Sequence, residues 1–337
     1  MNKNIPEFNL KYHILRKDST ETINLTCQYI IDGKLEKLYD EWINLISVFG
    51  LLYEFENCII WNDIKINISN AINSDKFHIK DALRISSKIY LLYNRYPNGF
   101  SLPTMSLSTI RNIVTVNFPE KLEEDSSEYK NVIKSYSKIL PVDKDLKEFC
   151  CKIIIGMNKD NVKNNKKLLR LTVEYLARKK TNIPIEKIWP APSLEDAIKG
   201  DIIWFLWGVL ILGNEVKNIY DLNSIDEISI NWELFCWNWK KSFKTERIGL
   251  LYGVCYTNIN SDDNKYDWSP SEMKIIKNVE DMALEIWKEK KPKKASVSDS
   301  EIYIPRTDFT QNNYEEDKKE DKKIESKIIK IKNYTEH

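Results

Sequence analysis

Apolar residues return every third or fourth position along most of this chain, which is the spacing of one buried face on an α-helix. Between residues 34 and 49 the series Leu35, Leu38, Trp42, Leu45, Ile46 and Phe49 follows that rule. The same period predicts helices over 79–93, 126–140, 143–155, 162–180, 193–212 and 269–288. The first thirty residues read differently. Phe8, Leu10, Tyr12 and Ile14 alternate with other residues, as do Ile23, Leu25, Cys27, Tyr29 and Ile31, and a period of two is that of half-buried strands. Lys17, Asp18, Ser19 and Thr20 between the two runs read as a hairpin loop, with Ile64, Ile66 and Ile68 as a short third strand beside it.

Two helix starts carry explicit signals. Ser193 with Asp196, and Ser269 with Glu272, each place a hydroxyl at the N-cap and a carboxylate three residues on, and the second adds Pro270 at the first helical position. Pro190 and Pro192 hold an extended backbone inside 181–192, which predicts a boundary between lobes there. Only 9 glycines occur, which disfavours turn-rich β-sandwiches and nucleotide folds built on glycine loops. From Lys290 onward lysine alternates with Asp and Glu and the apolar period fades, so this stretch buries too little to fold alone. The expected architecture is mainly α: a two-lobed helical core with a small N-terminal β-hairpin or three-strand element and a disordered charged C-terminal tail. Its expected segments are 1–70 (hairpin plus helix, packed on the core), 71–183 (first helical lobe), 184–289 (second helical lobe) and 290–337 (tail).

Composition narrows the class. The 337 residues are 42% hydrophobic and 11% aromatic, enough to build a sizeable core. Lys+Arg number 51 against 50 Asp+Glu, so no long-range field draws polyanions, and a polyanion site has to be a local patch. The apolar run Ile202 to Leu212 falls well short of the roughly 20 residues a membrane span needs. It reads as a core helix, and no membrane partner is expected. Residues 1–7 lack the apolar stretch of a secretory leader, and no two of the 6 cysteines have CxxC spacing. Reduced thiols in a cytoplasmic setting follow, with the glycosylation sequons at Asn24, Asn67 and Asn333 unused. The frequent Asn, Ile and Lys match an AT-rich coding sequence and hint at a virus or parasite, hence a virion or host cytoplasm.

Catalytic material is sparse. The 3 histidines are His13, His78 and His337, and no HExxH, CxxC pair or Cys/His cluster accompanies them, so neither metal nor cofactor is expected. Gly208 and Gly213 bracket apolar residues with no Lys-Ser/Thr after them, which is a core pattern. Asp262 and Asp263 lie among Asn and Ser as in a solvated turn.

Two segments carry candidate chemistry. On a helix over 162–180, Leu168, Leu169, Thr172, Val173 and Leu176 gather on one face, while Lys163, Lys167, Arg170 and Arg178, with Glu174 among them, gather nearly opposite. Such a stripe can follow a phosphate backbone, although it also suits an ordinary solvated face. Over 232–247, Trp237 interleaves with Lys240, Lys241, Lys244 and Arg247, a mixture that stacks unpaired bases and holds phosphates. Trp232, Phe235, Trp239 and Phe243 in the same segment have the spacing of a buried stripe.

These readings point first to a non-enzymatic protein of nucleocapsid type that coats single-stranded RNA without sequence specificity and self-associates. The alternative is a helical adaptor or scaffold working through protein partners, the C-terminal tail offering one contact. An enzyme whose site draws on scattered Asp, Glu, Lys and Tyr residues has the least support.

Overall fold

The computed structural model describes residues 9–52, 58–74, 76–95, 106–137, 139–163, 165–179, 202–213, 227–238, 244–256, 267–290 and 303–305. The fold is mainly helical. The chain forms two compact units, each interrupted in sequence: Met1–Ser101 with Cys236–Asn238 and Asp263–Lys318, and Leu102–Phe235 with Trp239–Asp262 and Lys319–His337.

The first unit contains α1 (Leu10–Leu15), α2 (Ser19–Ile31), α3 (Leu35–Leu52), α4 (Cys58–Asn73), α5 (Ile79–Asn94) and, far along the chain, α14 (Pro270–Lys290). Helix α5 is buried around most of its circumference, from Ile79, Ala82 and Leu83 to Leu91, Leu92 and Tyr93. A helix with so little solvated face has to be wrapped by others, and α1 to α4 and α14 all pack on it. Its polar groups find partners inside the unit. The Ser86 hydroxyl accepts from Trp42 Nε1 at 2.9 Å and is hydrogen-bonded to the Thr26 hydroxyl at 2.8 Å. Lys88 Nζ donates to Asp63 at 2.7 Å, and Asp63 also accepts from Trp268 Nε1 at 2.9 Å.

The expected N-terminal hairpin is not present: residues 10–31 form two helices. Lys17 sits at φ 58° in a left-handed C′ position, with the Lys17 N–H bonded to Ile14 O at 3.1 Å and the Asp18 N–H to His13 O at 3.0 Å. Asp18 then caps α2 by accepting from the Glu21 N–H at 3.0 Å. The residues read as a hairpin loop are therefore a helix stop followed by a helix start. In α2 the buried set is Thr22, Thr26, Cys27, Tyr29 and Ile30, a helical series that recruits two threonines. Their hydroxyls bond backbone carbonyls four residues back, Asp18 O and Thr22 O, which lets them enter the core. The third strand is likewise replaced by α4, whose buried Ile60, Trp61, Ile64, Lys65, Ile68, Ser69 and Ile72 repeat at helical spacing. Among the described residues the one β element is a three-residue antiparallel pair, β1 (Lys76–His78) with β2 (Tyr303–Pro305), Phe77 opposite Ile304.

The second unit contains α6 (Leu107–Thr115), α7 (Ser127–Ser135), α8 (Lys144–Asn158), α9 (Asp160–Lys163), α10 (Lys166–Arg178), α11 (Ile202–Gly213), α12 (Glu227–Cys236, whose last residue belongs to the first unit) and α13 (Lys244–Tyr256). Helix α10 packs against α6, α9, α11 and α13. Residues 202–210 of α11 are buried on every side, with Trp204 and Trp207 meeting Trp232 and Phe235 of α12 edge to face at centroid distances of 5.0 to 5.8 Å. Over 202–210 this apolar helix is core, and no helix among the described residues is long and apolar enough to cross a membrane.

The joint expected at 181–192, the cap at Ser193 and the expected tail lie outside the described residues, apart from Lys290 and 303–305.

Candidate nucleic-acid interface

The helix expected over 162–180 is broken once. Asn165 caps α10 through its side-chain oxygen, which accepts from the Leu168 N–H at 3.0 Å. Lys163 therefore ends the separate short helix α9, and α10 alone carries the remaining stripe. Its inner face buries Leu169, Leu171, Thr172, Val173, Tyr175, Leu176 and Ala177. Leu168 is half-buried. Outward lie Lys167, Arg170, Glu174 and Arg178, spaced three, four and four residues apart.

These four differ in how well they are paired. Arg178 reaches Glu174 at 2.5 Å, an i,i+4 pair on a partly exposed surface that contributes little to stability. Lys167 is exposed and no described carboxylate pairs with it. Arg170 is half-buried, and its Nε is enclosed with no acceptor.

Beyond the last turn of α10, Lys179 places its ammonium 4.4 Å from the centre of the Phe149 ring of α8. Burial lowers the Lys179 pKa from its ordinary value, and the positive charge of Arg111 on α6 lowers it further. Neither Lys179 nor Arg111 was singled out by sequence. The 162–180 period covers Lys179, whereas α6 escaped detection, although Ser106 caps it by accepting from the Thr109 N–H at 3.1 Å.

Of the aromatic and basic segment over 232–247, the structure describes 232–238 and 244–247. Helix α12 stops at Cys236, and Asn238 turns the chain at φ 38°. Trp237 is half-buried with its ring edge on Tyr39 at 5.9 Å, and Asn238 donates to Asp40 at 3.2 Å. Arg247 is fully buried and donates to Phe235 O at 3.0 Å, so it is a core group and offers nothing to a ligand at the surface. Lys244 is half-buried at the start of α13, while Lys240 and Lys241 lie outside the described residues.

Other titratable groups serve structure. Cys150 and Cys151 are buried thiols whose pKa values burial raises, that of Cys151 to about 11, which makes them poor nucleophiles. Glu41 is pushed up by burial against hydrogen bonds from Tyr29 and the Leu10 N–H. Among the described residues no group of three or more His, Cys, Asp and Glu side chains is placed to hold a metal ion. No protein-family model, no curated protein and no solved structure matches this chain.

Proposed function

We propose that this protein coats single-stranded RNA without sequence preference, binding the phosphate backbone along α10, and that copies associate along the strand. The observation that supports the reading is the outer strip of α10, with Lys167, which no described carboxylate pairs, Arg170 and Arg178 on a rigid helix whose other face is core. Cations at that spacing neutralise successive phosphates and release counterions, which gives sequence-independent affinity from a chain of near-zero net charge. The test is fluorescence anisotropy of the full chain with a labelled oligouridine over a series of salt concentrations. Replacing Lys167, Arg170 and Arg178 by glutamine should reduce the slope of log affinity against log salt by up to about 2, at roughly 0.7 per phosphate contact. Absence of salt-dependent binding at low ionic strength overturns the proposal.

A second reading, a helical adaptor, is favoured by α14, where Met273, Ile275 and Met282 are exposed, the last two on one face. Apolar side chains along one exposed helix suit a protein partner better than a polyanion. Replacing the three by serine should abolish partner binding under that reading and leave RNA binding unchanged under the first.

A further inference from the structure

Helix α14 runs antiparallel to α5. Arg95, the C-cap of α5, holds Glu272 near the start of α14, while Arg84, nearer the start of α5, reaches Glu280 further along α14. From that second contact α5 runs back about 8 Å to Ile79 and α14 runs on about 15 Å to Lys290, at 1.5 Å per residue. The chain thus leaves α14 beside the end of α5 that β1 adjoins, and it meets β1 again as β2. Residues 291–302, which join Lys290 to β2, reach up to about 40 Å when extended. That exceeds both the few ångströms by which α14 overshoots and the roughly 10 Å between packed helix axes, so the connection is longer than pairing with its own β1 requires.

The segment also stands out in sequence. Ile302, Tyr303, Ile304 and Pro305 are consecutive apolar residues in a stretch dominated by Lys, Asp and Glu, and the first three favour a strand. A sheet edge rewards such residues with backbone bonds, which a solvated polyampholyte does not. The pair they make is short. Phe77 lies opposite Ile304, His78 opposite Tyr303, and Lys76 opposite Pro305, whose nitrogen has no hydrogen to donate. No hairpin turn joins the strands, which come from distant parts of the chain. A ladder this small is marginal by itself, so β2 stays on its own β1 mainly through effective concentration, millimolar for a short linker. A second copy carries the same segment and offers β1 the same bonds.

We propose that β1 is a strand-exchange site, on which the 302–305 segment of a second copy docks in the register seen within one chain. Exchanging an identical element creates a link between copies without any new contact. The exchange goes beyond RNA coating and needs no nucleic acid. Below the effective concentration each chain clasps its own segment, and above it the clasp becomes a link between chains.

Two full-length variants, Phe77→Cys and Ile304→Cys, are mixed without nucleic acid in a glutathione redox buffer, and the disulfide between positions 77 and 304 is counted by peptide mass spectrometry. Mixing Ile304→Cys with Glu128→Cys, exposed on α7, measures chance encounters. The expected result is an interchain bond at least about tenfold above that control, rising with protein concentration towards the millimolar range. The Phe77→Cys, Ile304→Cys double variant should close within one chain at low concentration, which checks the strand pair itself. His78→Cys with Tyr303→Cys repeats both measurements should Phe77→Cys disturb folding. Closure within one chain with no interchain bond above the control overturns the exchange, and absence of the bond from every variant overturns the strand pair with it. Neither result touches the oligouridine titration, so a failed exchange and a failed RNA interface are told apart.

Discussion

A methyl group added at Gly156 of α8 falls well inside van der Waals contact with the Phe118 ring. Helix propensity alone favours alanine over glycine there by about 1 kcal/mol. The clash reverses the sign, and Gly156→Ala is expected to destabilise the protein by about 1 to 3 kcal/mol, read from urea unfolding. Lys17 presents the opposite case. Its φ of 58° is a conformation glycine adopts without penalty, so Lys17→Gly should raise stability by up to about 1 kcal/mol in the same measurement. The two helix stops flanking α2 are built alike. Gly33 at φ 69° ends α2 with the Lys34 N–H on Tyr29 O at 2.8 Å, as Lys17 ends α1. One was open to reading from sequence and the other was not, because a lysine in the left-handed region carries no glycine to mark it. With that stop hidden, the alternating apolar positions of 8–31 suggested strands. The helical series depended on Thr22 and Thr26 counting as core residues, which only their hydroxyl bonds to the preceding turn make possible.

Helix α14 shows how far a local signal reaches. The Ser269 and Glu272 capping box forms as read from sequence: the Glu272 carboxylate accepts from the Ser269 N–H at 2.8 Å, and the Ser269 hydroxyl is 3.3 Å from the Glu272 N–H. The same carboxylate is also gripped by Arg95 of the α5 C-cap, at 2.8 Å through Nε and 2.6 Å through Nη2, and nothing in the local pattern announces that partner. Burial raises the Glu272 pKa, but the bonds from Arg95 and Ser269 outweigh it and hold the carboxyl down at about 2. Because the folded value lies below the ordinary 4.5, the stability this group contributes is complete above about pH 4.5 and is lost as pH falls towards 2. Acid titration of unfolding free energy should therefore decline over that window in the native protein and less steeply in Glu272→Gln. Ser269→Ala should cost about 1 kcal/mol at neutral pH, the usual worth of an N-cap. The α10 strip was legible for a similar reason, being a matter of period, and the contact of Lys179 with the Phe149 ring was not, since it depends on which helix packs beside which.

At the scale of the molecule, the first unit is closed by a helix from late in the chain. Helix α14 lies on α5 through Arg95 with Glu272 and Arg84 with Glu280 at 3.2 Å, and Trp268 just before it donates to Asp63 of α4. A chain ending at residue 262 should accordingly lose amide-exchange protection in α5, whereas α10, whose neighbours α6, α9, α11 and α13 all precede that point, should keep its own. Hydrogen exchange read by mass spectrometry distinguishes the two helices. Consecutive segments of sequence carry no signal for such closure, because caps and periods report only on near neighbours. Arg95 and Glu272 are separated by 177 residues, so a ribosome adding roughly 5 to 20 residues per second needs about 9 to 35 s between the two. During that interval the side of α5 that awaits α14 stays open while the second unit is made, so the nascent chain finishes its middle before its beginning and offers chaperones a predictable surface to hold.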